Sequence, residues 1–125
     1  MACVMAKDRE GWLALWAEDG CVEDPVGISF LDPTGEGHTG HDAIGRFFDA
    51  NIGILTKVEF DIRHSYSTGL EVANVGTIHL HLPDGAIGHC EGVFVYRVRE
   101  DGKLVSLRAF WEVGAMMAAM EPAPA

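Results

Sequence analysis

Apolar residues in this chain change their spacing near residue 55. Before it they recur every three to four positions, the mark of helices; after it they alternate, the mark of strands half-buried in a sheet. Asp8 stands as an N-cap ahead of Trp12, Leu13, Leu15 and Trp16, and the spacing of Trp12, Leu15 and Trp16 predicts one apolar helix face ending near Asp19 and Gly20. Residues 1–6 read as the stub of an earlier helix, and 21–23 as a short strand. The segment Ile28 to Gly40 contains Asp32-Pro33-Thr34-Gly35-Glu36-Gly37, which is loop chemistry. Thr39 with Asp42 has the spacing of a capping box, opening a helix whose buried face carries Ile44, Phe47 and Phe48. Past Asn51-Ile52-Gly53, strands are expected over about 56–66, 71–82, 88–99 and 104–112. Turns fall at Ser67-Thr68-Gly69, Pro83-Asp84-Gly85 and Glu100-Asp101-Gly102. Residues 114–120 read as a short terminal helix or frayed tail. Helices first and an antiparallel meander afterwards is an α+β layout.

Composition narrows the class. With 125 residues, 48% of them hydrophobic, the chain makes one domain with a real core, taken as 1–120, followed by a disordered tail, 121–125. Nineteen acidic residues against nine basic leave a net charge of −10. That balance argues against nucleic acid and anionic membrane as partners. No apolar run is long enough to span a bilayer, and the N-terminus lacks a signal-peptide pattern. Cys3, Cys21 and Cys90 are odd in number and at no metal spacing, so they read as small hydrophobes in a reducing, cytoplasmic compartment.

One segment carries candidate chemistry: Val22-Glu23-Asp24-Pro25-Val26-Gly27. Asp24 precedes a proline, which biases it toward extended backbone, and its neighbours hydrate a charge poorly. An acid held this way is a candidate proton-transfer group, or a structural acceptor of backbone N–H bonds. Strand alternation places Phe94, Tyr96 and Val98 on one sheet face, with Ala109 and Trp111 on the corresponding face of the next strand. His79 and His81 share a face opposite Ile78, Leu80 and Leu82. The pair has chelating spacing, with His89 or Glu91 across the hairpin, but too few certain ligands to call for a metal.

Together these features resemble the nuclear-transport-factor-2/ketosteroid-isomerase superfamily. The likeness runs through Gly11, Leu15, Ala17, Asp19 and the hexapeptide 22–27, then Gly40, Ile44 and Phe47, then Gly102 to Phe110. Residues 8–15, the long loop and 92–98 look closest to a ketosteroid-isomerase-like branch. The resemblance implies a cone, with N-terminal helices packed on a curved antiparallel sheet around an apolar pocket. It implies Asp24 as general base on an enolisable ketone, with no cofactor and no metal. The family's oxyanion donors are a tyrosine, which would fall just before Met1, and a protonated aspartate, replaced here by Phe94; a supporting tyrosine is replaced by Phe48. The family register puts His79 and His81 on the cavity side, where His79, His81, Tyr96 or water would hold the enolate oxygen; the alternative for the two histidines is a solvated or intersubunit pair. Trp12, Trp16, Val26, Phe47, Phe48, His81, Phe94, Ala109 and Trp111 would contact a flat hydrophobic substrate. Leu80, Leu82, Val93, Val95 and Phe110 would form the opposite face and a homodimer contact. The alternatives are a non-catalytic binder of steroid-like molecules and a related epoxide hydrolase or cyclase; for the hydrolase, Asp61 and Arg63 share a strand face.

Overall fold

The computed structural model describes residues 1–124. Its elements run α1 (Ala2–Met5), α2 (Arg9–Ala14), β1 (Trp16–Glu23), β2 (His38–Thr39), α3 (His41–Asn51), β3 (Lys57–Thr68), β4 (Glu71–His81), β5 (Ile87–Val98), β6 (Leu104–Trp111) and α4 (Val113–Ala118). One six-stranded sheet has the order β2-β1-β6-β5-β4-β3. The meander β3 to β6 is antiparallel throughout, and β1 joins it parallel to β6. The helices lie against the inner, concave face. This is the α+β cone expected from the pattern and the resemblance.

Asp8 caps α2 as expected, its Oδ1 accepting the Gly11 N–H at 3.0 Å. The helix does not reach Asp19. It ends at Ala14, and Trp16 begins β1 by pairing with Leu104 of β6. Trp12 and Trp16 are both buried, so either backbone conformation delivers their side chains to the core; the open edge of β6, which needs a partner for its peptide groups, decides for strand. The Thr39/Asp42 capping box does not form. Thr39 is held in β2 opposite Cys21, and Gly40 is the N-cap, at φ +89°, with no side-chain bond.

The core gathers Trp12, Trp16, Val22, Ile44, Phe47 and Phe48 from the N-terminal half against Cys90, Phe94, Leu107, Ala109 and Met116. Trp12 is its hub, meeting Trp16 edge-on at 5.7 Å and Phe48 at 5.4 Å between ring centroids. Burial of these aromatics supplies most of the force that seats α2 and α3 on the sheet. Gly92 stands opposite Trp111 on the neighbouring strand. A side chain there would collide with the Phe110 carbonyl and crowd the Trp111 Cβ, so Gly92 lets β5 and β6 coil tightly beside the indole. At Glu121, where the tail was expected to leave the fold, the backbone is paired with Ile87.

Candidate functional site

Asp24 leaves β1 at its C-terminal end, through a cis peptide bond to Pro25, and faces into the cone. Its Oδ1 accepts the Trp111 indole N–H at 2.6 Å. Val26 is tied back to the same strand, its N–H donating to the Ala109 carbonyl at 2.9 Å. β6 therefore holds the acid from both sides of the proline. Asp24 keeps a partial opening onto the cavity, but protein surrounds the carboxyl, so burial raises its proton affinity. The Trp111 bond and the nearby His38 oppose that shift without cancelling it. No cation is bonded to it. An acid in this state exchanges a proton more readily near neutrality than an exposed aspartate does.

The cavity holds about 350 Å³. Its wall is apolar, built from α2 (Trp12), α3 (Phe47, Ala50), β3 (Val58, Phe60), β4 (Ile78, Leu80), β5 (Cys90, Phe94), β6 (Leu107) and α4 (Met116), with Phe30, Leu31, Ile52, Ile54 and Leu55 contributed by loops. Polar groups are few: Asp24, Tyr96, Asn51, the Cys90 thiol and the Trp12 and Trp111 indoles. Burial, reinforced by the Asp24 charge, pushes the Tyr96 phenol and the Cys90 thiol each up to about 12. Both stay protonated at neutral pH. The Tyr96 hydroxyl has no hydrogen-bond partner among the described residues, so it is free to donate to a ligand.

Of the residues expected at a site, Asp24, Tyr96, Trp12, Phe47, Phe94 and Trp111 line the cavity together. Trp16, Phe48 and Ala109 are buried behind that wall as packing, and Val26 contributes its backbone. His79 and His81 are not in the cavity. They lie on the outer face, where His79 Nδ1 shares a 2.7 Å hydrogen bond with His89 Nδ1 and His81 Nε2 bonds Glu59 Oε1 at 2.6 Å. The reason is burial: the alternation Ile78, Leu80, Leu82 puts the apolar side chains inward, so the histidines between them point out. Leu80 and Leu82, expected outside, are therefore cavity wall, a signal already present in the alternation. Val93 and Phe110 do pair on the outer face, next to Val75. Asp61 and Arg63 are on that side too, Arg63 reaching Thr77 and Glu91. The cavity contributions of Asn51, Cys90, Met116 and Met120 went unforeseen; they depend on how α3 and α4 close over the sheet.

The fold agrees with a family-level match: the SnoaL-like domain model aligns with residues 1–107, and the chain belongs to that family, within the NTF2-like fold. Among solved structures, a Δ5-3-ketosteroid isomerase from Mycobacterium sp. is 36% identical, with 95% of this chain and 88% of that chain covered and a TM-score of 0.85. The protein Rv0760c from Mycobacterium tuberculosis, solved in complex with estradiol-17β-hemisuccinate, is 36% identical over 90% of this chain and 88% of that chain, at a TM-score of 0.83. A computationally designed 17-OHP binder is 35% identical over 90% and 87%, at 0.85. No curated protein matches the sequence.

Proposed function

We propose that this protein is a steroid Δ-isomerase-like enzyme that moves a proton between carbons of an enolisable ketone, with Asp24 as general base. The observation that carries this reading is the single carboxyl that the described residues bring to the apolar cavity, anchored by Trp111 and raised in proton affinity by burial. A flat hydrophobic ligand suits a wall with so few polar groups. Asp24 takes the proton beside the carbonyl and returns it at the conjugated position. Tyr96, protonated and unpartnered, donates to the developing enolate oxygen. Proton transfer of this kind calls for no cofactor or metal. The similarity to a ketosteroid isomerase and to a protein solved with an estradiol derivative supports a steroid-like ligand.

A second reading, a non-catalytic steroid binder, is favoured by Phe94 and Phe48, which cannot donate hydrogen bonds where the resemblance expects polar groups. An epoxide hydrolase fits less well, because no arginine lines the cavity and the Asp61–Arg63 pair is outside. The protein is further proposed to be cytoplasmic and a homodimer. No helix among the described residues is long and apolar enough to cross a membrane.

The deciding measurement is the absorbance change as a β,γ-unsaturated 3-ketosteroid becomes its conjugated isomer. Asp24→Asn should abolish turnover and leave steroid binding intact. Tyr96→Phe should lower turnover about a hundredfold to a thousandfold, the range expected for one oxyanion donor. Steroid binding without turnover in the parent protein would hand the assignment to the binder.

A further inference from the structure

β6 ends at Trp111, opposite Gly92, so β5 has an open edge from Ile87 to Glu91. The chain leaves the sheet there, crosses the cavity as α4, and returns to that same edge. Glu121 takes the slot opposite Ile87, with backbone hydrogen bonds of 2.9 Å in both directions. Between its two anchors the segment rests on two flexible side chains. Met116 and Met120 face the cavity and pack over Gly88, where an added Cβ would lie 3.3 Å from the Met116 Sδ and 3.6 Å from the Met120 Cε. Little else holds α4. It has six residues, no side-chain cap, and a Gly114 where an added Cβ would meet nothing within 4 Å. A helix this short has marginal stability of its own.

The returning end has one further fixing. The Glu121 Oε2 accepts from His89 Nε2 at 2.7 Å, and His89 Nδ1 is bonded at 2.7 Å to Nδ1 of His79. The rings meet almost at right angles, 80° between planes. With neutral rings the chain has one consistent proton arrangement: His79 donates from Nδ1, His89 accepts there and donates from Nε2 to Glu121. His79 is thus a positioning residue, fixing the tautomer that presents an N–H to the carboxylate.

We propose that residues 112–121 form a movable lip of the cavity and that the His79–His89–Glu121 chain is the latch that holds it shut. Opening frees the Glu121–Ile87 bridge, lifts Met116 and Met120 from Gly88, and exposes the cavity from the β5 side. Met side chains then re-pack on whatever occupies the space.

Cys90 reports the opening without any ligand, because its thiol is buried yet lines the cavity. Labelling by N-ethylmaleimide at pH 8, resolved from Cys3 and Cys21 by peptide mass mapping, is compared with amide hydrogen exchange at Ile87 and Glu121. In the parent protein, Cys90 and these two amides should share one opening, of smaller protection than the central amides of β4. Glu121→Ala and His89→Phe should each raise Cys90 labelling and the two amide rates together by about two- to fivefold, as suits a half-exposed hydrogen bond to a carboxylate, with β4 unchanged. His79→Phe should give a smaller rise in the same positions. Cys90 labelling that requires the opening of β4 itself overturns the proposal, and this is read on the unaltered protein even if a variant fails to fold. Faster exchange at Glu121 with unchanged Cys90 labelling overturns it as well.

Discussion

Asp24 concentrates the chemistry of this molecule into one group, and its environment determines how that group behaves with pH. Burial favours the neutral acid, so the folded pKa lies above that of the unfolded chain. Linkage then has a definite sign. Below the unfolded value, near the ordinary 3.8 for aspartate, both states are protonated and Asp24 contributes no penalty. As pH rises from there through the raised folded value, stability is lost, and above it the loss is constant. Asp24→Asn should therefore raise the melting temperature at pH 7 by a few degrees and give no gain below pH 3.8, measured by circular dichroism across that range. The same shift predicts the rate profile. Turnover should climb with pH as Asp24 ionises. Loss of the Tyr96 proton, at about 12, should not cut it down anywhere in the neutral or mildly alkaline range.

Among the elements, β5 and β6 carry the most, because they align Phe94, Tyr96, Leu107 and Trp111 on one face and carry the anchor of the acid. Their close approach depends on Gly92. Replacing it with valine would set a branched side chain against the Phe110 carbonyl and the Trp111 Cβ. Gly92→Val should cost about 2–4 kcal/mol in urea unfolding, as overpacking and backbone displacement do, and should loosen the Trp111–Asp24 bond. A drop in stability with unchanged Trp111 fluorescence and unchanged ligand affinity would show that the indole is placed by some other contact. The N-terminal helices contribute aromatic packing but only one side-chain cap, at Asp8.

Besides the cavity, part of the outer sheet face is apolar. Phe110 is 42% exposed there and Tyr66 62%, with Val75, Val93 and Val95 near them in register. Arg108 covers Phe110, its guanidinium 5.3 Å from the ring centroid. An exposed apolar patch on a sheet that already buries its other side is the ground for the proposed homodimer. Sedimentation at micromolar concentration should give a dimer, and Phe110→Glu should shift it to monomer while leaving the cavity intact. A parent protein that sediments as a monomer would remove this proposal without touching the isomerase reading.

Spacing alone determined a good deal of this. The change of period near residue 55, the turn residues and the Asp8 cap marked the elements and the α+β order, because local sterics and side-chain alternation operate within a few residues. Asp24 also stood out locally, as a carboxyl among residues that cannot hydrate it. Other features were decided by groups far apart in the chain. Whether Trp16 is helical or extended was settled by the open edge of β6, nearly ninety residues away. Which face of β4 is inside followed from where α3 and α4 close the cone, and it agrees with the apolar alternation of Ile78, Leu80 and Leu82 rather than with the family register. The hydrogen bond from Trp111 to Asp24, the cavity role of Cys90 and the return of Glu121 to Ile87 all join residues distant in sequence. Burial and hydrogen-bond satisfaction are properties of the assembled surface, so only the tertiary structure could decide them.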